Sequence, residues 1–187
     1  MLSLLKSIFG NLLFDFKTDR FRAVLFIGIA NILPDLFIFS AVRPILWRAA
    51  GVKINIFGRS LIRKEVWIDF PKNLTVGNNF YINRGSIISA QEKINIGNNV
   101  NFGFNVKLIT IYHVLNKNNQ YIDKKKPINI GDNCQIFTSS IILHGTVLKK
   151  NNTVMAFSLV KGSFVENSLI AGNPAKIINI RKLRGQT

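Results

Sequence analysis

The chain has 187 residues, 48% of them hydrophobic, which excludes a disordered chain and suits one domain with its own core. Its 25 lysines and arginines outnumber 9 acidic residues, and the formal net charge of +16 favours partners that carry phosphate or other negative groups. No zinc-finger spacing, RNP-type aromatic motif or helix-turn-helix pattern indicates a nucleic-acid partner.

The N-terminal fifty residues are strongly hydrophobic. From Ala23 to Val42 the chain is almost uniformly apolar, but Pro34 and Asp35 lie near the middle of this stretch. Proline interrupts a helix and a charge is costly inside a bilayer, so two short helices hinged at Pro34 fit better than one membrane-spanning helix. Earlier in the chain, an amphipathic helix is predicted over residues 1–16 from the helical spacing of Leu4, Leu5, Ile8, Leu12 and Leu13.

Arginines flank these hydrophobic segments, namely Arg20, Arg22, Arg43 and Arg48. We therefore expect residues 1–50 to form a helical extension that docks on the inner face of the cytoplasmic membrane as a peripheral element. The alternative is that the helices cap the rest of the fold or pack between subunits. No cleavable signal peptide is evident, so a cytoplasmic location is expected.

Aliphatic residues recur at every sixth position in the rest of the chain. This period fits neither an α-helix nor an open sheet, but it is typical of a hexapeptide β-helix, in which each repeat forms one face of a triangular coil. A β-sandwich, the alternative, would show two-residue alternation. The repeat is formed by Val76, Ile82 and Ile88, then by Ile96, Phe102 and Leu108, and then by Ile130, Ile136, Ile142, Leu148, Val154 and Val160.

The corners of the coils have their own signature. An aliphatic residue, a glycine and a polar pair occur together three times, at residues 76–79, 96–99 and 130–133. Glycine and asparagine tolerate the left-handed backbone that tight corners demand. Cys134, the single cysteine, falls on the repeat and is expected to be a buried residue of a protein from a reducing compartment, without a nucleophilic role.

The repeat breaks between Leu108 and Ile130. Residues 110–127 are polar and cannot continue the coils, so they are expected to leave the solenoid as a loop. Such loops commonly carry binding sites. His113 lies at the root of this loop, and the chain contains only one other histidine, His144.

His113 beside the inserted loop, the Pro127–Asn133 segment, the hexapeptide run and the Ala171–Ile178 segment together resemble the hexapeptide-repeat acyltransferases. Within that family the chain is most similar to the galactoside, maltose and colanic-acid type O-acetyltransferases. The resemblance covers Gly51 to about Ile178. It implies a left-handed parallel β-helix over residues 51–175, a homotrimer with active sites between adjacent subunits, and acetyl-CoA as the donor, with no metal.

The resemblance also implies roles for individual residues. His113 matches the catalytic base, and imidazole suits proton removal from a hydroxyl near neutral pH. His144 stands where the family usually has proline and is expected to lie in a solvent-facing turn. Asn83 matches an asparagine near the catalytic centre that contacts the acceptor, and Arg84 beside it could pair with an anionic sugar.

Coenzyme A needs a smooth groove along the coils and cations for its phosphates. By resemblance the groove is assigned to Thr138, Ala156 and Ser158. Binding of the phosphates is assigned to Lys161, Lys176 and Arg181. The last two belong to a basic C-terminal tail of residues 176–187. Two departures from the family pattern occur here: Phe137 replaces a glycine, and Gln135 replaces an aromatic residue.

The sequence thus predicts an acetyl-CoA-dependent O-acetyltransferase that modifies a sugar hydroxyl of a bacterial surface polysaccharide or its precursor, such as capsule, exopolysaccharide or lipopolysaccharide. A nucleotide-sugar N-acetyltransferase and a non-catalytic membrane-binding scaffold are the alternatives. A γ-class carbonic anhydrase would need three zinc-binding histidines in each site, whereas the chain has two in all. The sequence does not identify the acceptor sugar.

Overall fold

The computed structural model describes residues 20–180 together with Ser7, Phe9, Gly10, Asn11 and Asp15. Two helices, α1 (Arg20–Ile32) and α2 (Phe37–Ala50), precede a solenoid of short strands. The break between them contains Pro34, as the sequence predicted. The leucines and isoleucine on which the predicted amphipathic helix of residues 1–16 depends lie outside the described residues.

Three parallel sheets form the faces of the solenoid, and each complete coil contributes one strand to every face. The first face contains β1 (Lys53–Ile54), β4 (Leu74–Val76), β7 (Ile94–Ile96), β12 (Ile128–Ile130), β15 (Val147–Leu148) and β18 (Ser163–Phe164). The second contains β2 (Leu61–Ile62), β5 (Tyr81–Ile82), β8 (Asn101–Phe102), β13 (Gln135–Ile136), β16 (Thr153–Val154) and β19 (Ser168–Gly172). The third contains β3 (Trp67–Asp69), β6 (Ile87–Ser89), β9 (Lys107–Ile109), β14 (Ile141–Leu143) and β17 (Leu159–Val160).

Two further elements depart from the coils. An antiparallel hairpin, β10 (Ile111–Leu115) and β11 (Tyr121–Lys125), is inserted between β9 and β12, where the sequence predicted a loop. The last strand, β20 (Ala175–Ile180), pairs antiparallel with β19 and crosses the boundary predicted between the β-helix and the basic tail. A single 3₁₀ turn, Pro71–Asn73, precedes β4.

The repeat positions stack in register inside the solenoid. On the second face Ile82 pairs with Phe102, Phe102 with Ile136, and Ile136 with Val154, and all four side chains are buried. Each buried aliphatic side chain contributes about 1.5–3 kcal/mol of hydrophobic stabilisation, so the stacked interior holds the coils together. The predicted left-handed β-helix is confirmed.

Three edges run along the solenoid where the chain passes from one face to the next. The asparagine edge joins the first face to the second and contains Asn79, Asn99, Asn133, Asn151 and Asn167. The Arg84 edge joins the second face to the third and contains residues 83–86, 103–106, 137–140 and 155–158. The hairpin edge joins the third face to the first and contains the β10–β11 hairpin, residues 144–146 and residues 161–162.

Side-chain amides form a continuous ladder along the asparagine edge, each donating to the next asparagine at 2.9–3.1 Å. Asn79, Asn99 and Asn133 have φ between 54° and 58°, the left-handed conformation that the sequence predicted for these corners. The glycines two positions earlier are required for close approach instead, because a Cβ on Gly97 would lie 2.8 Å from the Asp132 nitrogen.

The N-terminal helices close the open end of the solenoid. Trp47 of α2 is 1% exposed and packs its ring 6.5 Å from the ring of Phe80 in the interior. Ile27 of α1 belongs to the same buried cluster. The side of the helix pair that faces the solenoid therefore acts as a cap, which is one of the alternatives that the sequence left open.

Arg43 was predicted to be one of the arginines that flank a membrane segment, and this prediction is wrong. Its side chain is fully buried, and its guanidinium donates to the carbonyls of Ala30, Leu33 and Ile62. Burial lowers the pKa of Arg43, and the negative charge of Asp35 opposes that effect. The buried guanidinium satisfies carbonyls released where the chain breaks between the helices, and so fixes the hinge to the solenoid.

Asp35 lies in this hinge. Its carboxylate contacts the Arg63 guanidinium at 2.7 Å and lies 3.5 Å from that of Arg84. These two cations lower the pKa of Asp35 even though burial alone would raise it. No helix within the described part of the chain is long and apolar enough to cross a membrane.

Candidate active site

His113 lies on β10 of the inserted hairpin. The antiparallel register places it opposite Asp123 of β11, and its Nδ1 lies 2.7 Å from a carboxylate oxygen of Asp123. Because a carboxylate only accepts hydrogen bonds, this contact puts a proton on Nδ1, and in the neutral imidazole Nε2 is then the acceptor. Both side chains are about 60% exposed, so Nε2 can meet an external hydroxyl.

His144 was expected to face solvent, and this prediction is wrong. It does lie at a turn, since Gly145 follows it with a φ of 76°, but the hairpin folds back over it. The ring of Tyr112 stacks on the imidazole at 3.9 Å between centroids, with 13° between their planes, and leaves His144 only 8% exposed. The Tyr112–His144 stack therefore attaches the strand that carries His113 to the solenoid.

The environment of His144 keeps it uncharged. Burial lowers its pKa, and the positive charges of Lys161 and Lys126 lower it further. Its Nδ1 is buried without a hydrogen-bond partner among the described residues. A neutral imidazole is therefore the form that stacks on Tyr112 near neutral pH.

The predicted acceptor-binding residues lie on the Arg84 edge. Asn83 is half-buried, and its side-chain oxygen accepts a hydrogen bond from the Arg84 backbone N–H. The Arg84 guanidinium lies 5.9 Å from the ring centre of Phe104 and 3.5 Å from the Asp35 carboxylate. Arg84 is thus half-exposed and oriented by two neighbours, which is a geometry that suits a fixed anion or hydroxyl contact.

Two predicted coenzyme-binding residues follow on the same edge. Thr138 is half-buried and Ala156 is exposed, one coil apart, because β13 pairs with β16 in register. Phe137, the residue that departs from the family pattern, stands beside Thr138 and is 44% exposed. A small residue at Ala156 leaves open surface, whereas Phe137 adds an apolar wall next to it.

The side chain of Ser158, in the same corner as Ala156, is buried. It is 1% exposed, its hydroxyl donates to the Met155 carbonyl at 2.7 Å, and it accepts from the Gly172 N–H. The hydroxyl of Ser158 is therefore held inside the corner, and the assignment of Ser158 to the coenzyme A groove stays a prediction. The compact corner needs an internal hydroxyl to satisfy backbone groups, and Ser158 is already used for that purpose.

The predicted phosphate-binding lysines lie on different parts of the solenoid. Lys161 is exposed on the hairpin edge and is close enough to His144 to lower its pKa. Lys176 is exposed on β20, opposite Ala171, where the second face meets the Arg84 edge. Arg181 lies outside the described residues.

Within one protomer the predicted site residues therefore occupy two separate edges. His113 and Lys161 belong to the hairpin edge, whereas Asn83, Thr138 and Ala156 belong to the Arg84 edge. A triangular solenoid holds its edges apart with a packed face between them. Neither edge carries the full predicted set.

Sequence reasoning missed Asp123 and Tyr112. Asp123 is the only acidic residue of the inserted segment 110–127, which was the signal available in the sequence. Its pairing with His113 depends on the hairpin register, which a polar insertion does not reveal. Cys134 is buried as expected, and burial raises its pKa to about 11, which disfavours the reactive thiolate at neutral pH.

Comparison with known proteins identifies relatives of part of the chain, although no family model matches it. A putative acetyltransferase of Dictyostelium discoideum is 41% identical over 113 residues, which are 59% of this chain and 60% of the relative. The chain thus spans about three fifths of the length of the curated relatives it matches.

Solved structures match a larger share of the chain. A maltose O-acetyltransferase from Clostridium difficile superimposes with a TM-score of 0.75 and 27% identity, covering 86% of this chain and 85% of that protein. A hexapeptide-repeat acetyltransferase from Vibrio cholerae in complex with acetyl-CoA has a TM-score of 0.75 and 24% identity over 87% of both chains. The chain therefore has the hexapeptide-repeat acetyltransferase fold.

Proposed function

We propose that the protein is an acetyl-CoA-dependent O-acetyltransferase that acts on a sugar hydroxyl, with His113 as general base. The observation that carries this proposal is the His113–Asp123 pair on an exposed hairpin of a hexapeptide-repeat solenoid. The Dictyostelium relative is named a putative acetyltransferase, one structural relative is a maltose O-acetyltransferase and another is in complex with acetyl-CoA, which supports the donor and the acceptor class. A bacterial surface polysaccharide or its precursor is the acceptor that we propose from the sequence.

The chemistry follows from the state of the imidazole. Nε2 of His113 accepts the proton of the acceptor hydroxyl while the oxygen attacks the thioester carbonyl carbon. Asp123 holds the ring through Nδ1 and stabilises the imidazolium that forms. The carbon–sulfur bond then breaks, the imidazolium returns its proton to the departing sulfur, and an acetyl ester and free coenzyme A result.

We further propose that the functional unit is a homotrimer in which the hairpin edge of one protomer faces the Arg84 edge of the next. The separation of the two edges within one protomer supports this arrangement, because a rotationally symmetric assembly can bring unlike edges together. His113 and Lys161 would then approach the partner's acceptor and coenzyme wall. Asn83, Thr138, Ala156 and Lys176 form that wall.

The first experiment removes the base. His113→Ala should lower kcat with acetyl-CoA and a sugar acceptor by about 10²–10⁴-fold, the usual loss for a general base. Its unfolding midpoint should stay unchanged, because the side chain is exposed. Lys117→Ala, at the exposed tip of the same hairpin, is the matched control and should be nearly silent. A kcat near that of the wild type in His113→Ala would exclude His113 as the base.

The product distinguishes the acceptor class. An O-acetyl ester is cleaved by alkaline hydroxylamine, whereas the amide made by an N-acetyltransferase is stable. Product from a sugar acceptor that resists hydroxylamine would replace our proposal with the nucleotide-sugar alternative. The absence of any transfer across oligosaccharide, glycan and amino-sugar acceptors would favour the non-catalytic scaffold.

The shared site is tested by subunit complementation. His113→Ala and Asn83→Ala chains, each inactive alone, are co-expressed so that they assemble together. If sites lie between protomers, about a quarter of the sites in a random mixture combine an intact hairpin with an intact Asn83, and activity returns. If each protomer carries a whole site, no site is restored and the mixture stays inactive.

A further inference from the structure

The helix pair α1 and α2 carries a second apolar surface that faces away from the solenoid. On α1 the outward side chains recur at helical spacing, and on α2 a similar stripe lies beside the hinge. A helix that is apolar on both sides is normally covered on both sides. The exposed members are Phe21, Val24, Leu25, Ile29, Ile32, Leu36, Phe37, Ile38, Val42 and Ile45, which we name the outer apolar surface.

A basic cleft borders this surface at the end where α1 begins and α2 ends. Its volume is about 610 Å³, and its lining includes Arg22, Arg48, Lys53 and Lys72. The two arginines are fixed by backbone carbonyls, since Arg22 donates to Ala49 and Arg48 donates to Ile54 at 2.9 Å. Four cationic side chains therefore converge at one mouth next to exposed Phe21.

The charge pattern of the helix pair indicates what covers the outer apolar surface. Arg43 is buried, but residues 20–50 also contain the accessible arginines Arg20, Arg22 and Arg48, against a single acidic residue, Asp35. That carboxylate is paired with Arg63 and is only 18% exposed, so it adds little negative charge to the surface. Apolar side chains bordered by cations match the acyl chains and phosphates at the boundary of an anionic bilayer.

We propose that the outer apolar surface docks on an anionic phospholipid membrane and that the basic cleft binds a lipid phosphate. The helices lie along the boundary between headgroups and acyl chains, with Phe21 and Leu25 inserted. Arg48 and Lys53 contact the phosphate layer. The solenoid is then held beside the membrane, where a lipid-linked acceptor would be presented.

Vesicle co-sedimentation of the full chain tests the proposal without any acetyl transfer. We expect binding to vesicles of phosphatidylcholine with phosphatidylglycerol, and much weaker binding to phosphatidylcholine alone. Added salt should lower the first binding and leave the second unchanged. Binding to the anionic vesicles with no catalytic activity would overturn the proposed function and leave this proposal standing.

Two pairs of variants separate the electrostatic contribution to vesicle binding from the apolar one. Lys53→Gln with Lys72→Gln should weaken binding to anionic vesicles about 30-fold, the effect of two cations near an anionic surface. Lys117→Gln with Lys124→Gln, on the exposed hairpin, removes the same charge elsewhere and should have little effect.

The apolar pair is Leu25→Ser with Ile45→Ser, which should weaken binding to both kinds of vesicle about tenfold. Val165→Ser, exposed to a similar extent on the solenoid, is its control. Equal vesicle binding by wild type, both variant pairs and controls would overturn the proposal. A change of oligomeric state in the apolar variant, measured by light scattering, with unchanged vesicle binding would assign the surface to a second copy instead.

Discussion

Along the asparagine edge, five side-chain amides bond to one another in a single line, whereas along the hairpin edge the polar groups belong to an insertion that leaves the coils. The amides of the ladder use one another as partners, so this edge stabilises the fold. His113 and Asp123 bond only across the hairpin and remain more than half exposed. A repeat can therefore give one edge to structure and leave another for chemistry.

The largest effect on stability is expected from a substitution on the asparagine edge, and its absence would contradict the structural role of that edge. In Gly97→Ala the new Cβ would lie 2.8 Å from the Asp132 nitrogen and 2.9 Å from the Gly131 carbonyl carbon, both main-chain atoms that cannot move aside alone. The variant should lose about 1–3 kcal/mol of unfolding free energy in urea denaturation, as overpacked sites do. The kcat of the folded protein should not change.

Gly28→Ala is the matched control for Gly97→Ala, because its Cβ would have no neighbour within 4 Å. Alanine is the better helix former by about 0.8–1 kcal/mol, so this variant should be slightly more stable. Equal destabilisation by the two substitutions would mean that close approach of the coils does not constrain the asparagine edge.

A smaller effect is expected from the stack on the hairpin edge. Tyr112→Ala removes the ring that covers His144, and aromatic pairs contribute about 0.5–1.5 kcal/mol beyond their buried area. We expect kcat to fall by roughly tenfold because the hairpin is held less firmly. The KM for acetyl-CoA should change little.

Tyr112→Phe keeps the ring and should restore kcat, and this rescue identifies a positioning role rather than a chemical one. The same reasoning applies to His144, since His144→Phe retains the stack and His144→Ala loses it. If Tyr112→Ala has the kcat of the wild type, the hairpin does not depend on the stack.

The smallest expected effect is on the pH dependence of folding stability, through His144. The pKa of folded His144 lies below its ordinary value of 6.5 because of burial and the nearby charges of Lys161 and Lys126. The unfolded chain therefore binds a proton that the folded chain does not. Stability from this group is fully present above about pH 6.5 and is lost as pH falls below it.

Urea denaturation of wild type and His144→Phe across this range measures the contribution of His144. The variant should lose less stability between pH 7 and pH 5 than the wild type, because phenylalanine does not titrate. Parallel losses in the two proteins would show that His144 does not contribute to this part of the acid sensitivity.

Several structural features could be read from the sequence. The six-residue repeat predicted the solenoid, because only a coil with one short strand per face uses that period. The repeated unit of glycine followed by a polar pair predicted left-handed corners at Asn79, Asn99 and Asn133. Pro34 predicted the break between two helices. Each of these features depends on local geometry, which neighbouring residues in the chain determine.

The features that the sequence concealed depend on contacts between distant segments. His144 looked like an exposed turn residue because nothing in its neighbourhood reveals that Tyr112 folds over it. Arg43 looked like a membrane flank, yet carbonyls from two separate segments, the end of α1 with the hinge and strand β2, surround it. Ser158 shows the same limit, since its hydroxyl is occupied by Met155 and Gly172.

By itself the sequence determined the solenoid and the position of the insertion, because residue type and spacing decide both. Its resemblance to the hexapeptide-repeat acyltransferases selected His113 as candidate base. Only the tertiary structure decided that Asp123 is the partner of His113, since hairpin register sets which side chains face each other. It also decided that the predicted site residues fall on two edges of one protomer. The packed interior between those edges keeps them apart, and that separation depends on how the coils stack.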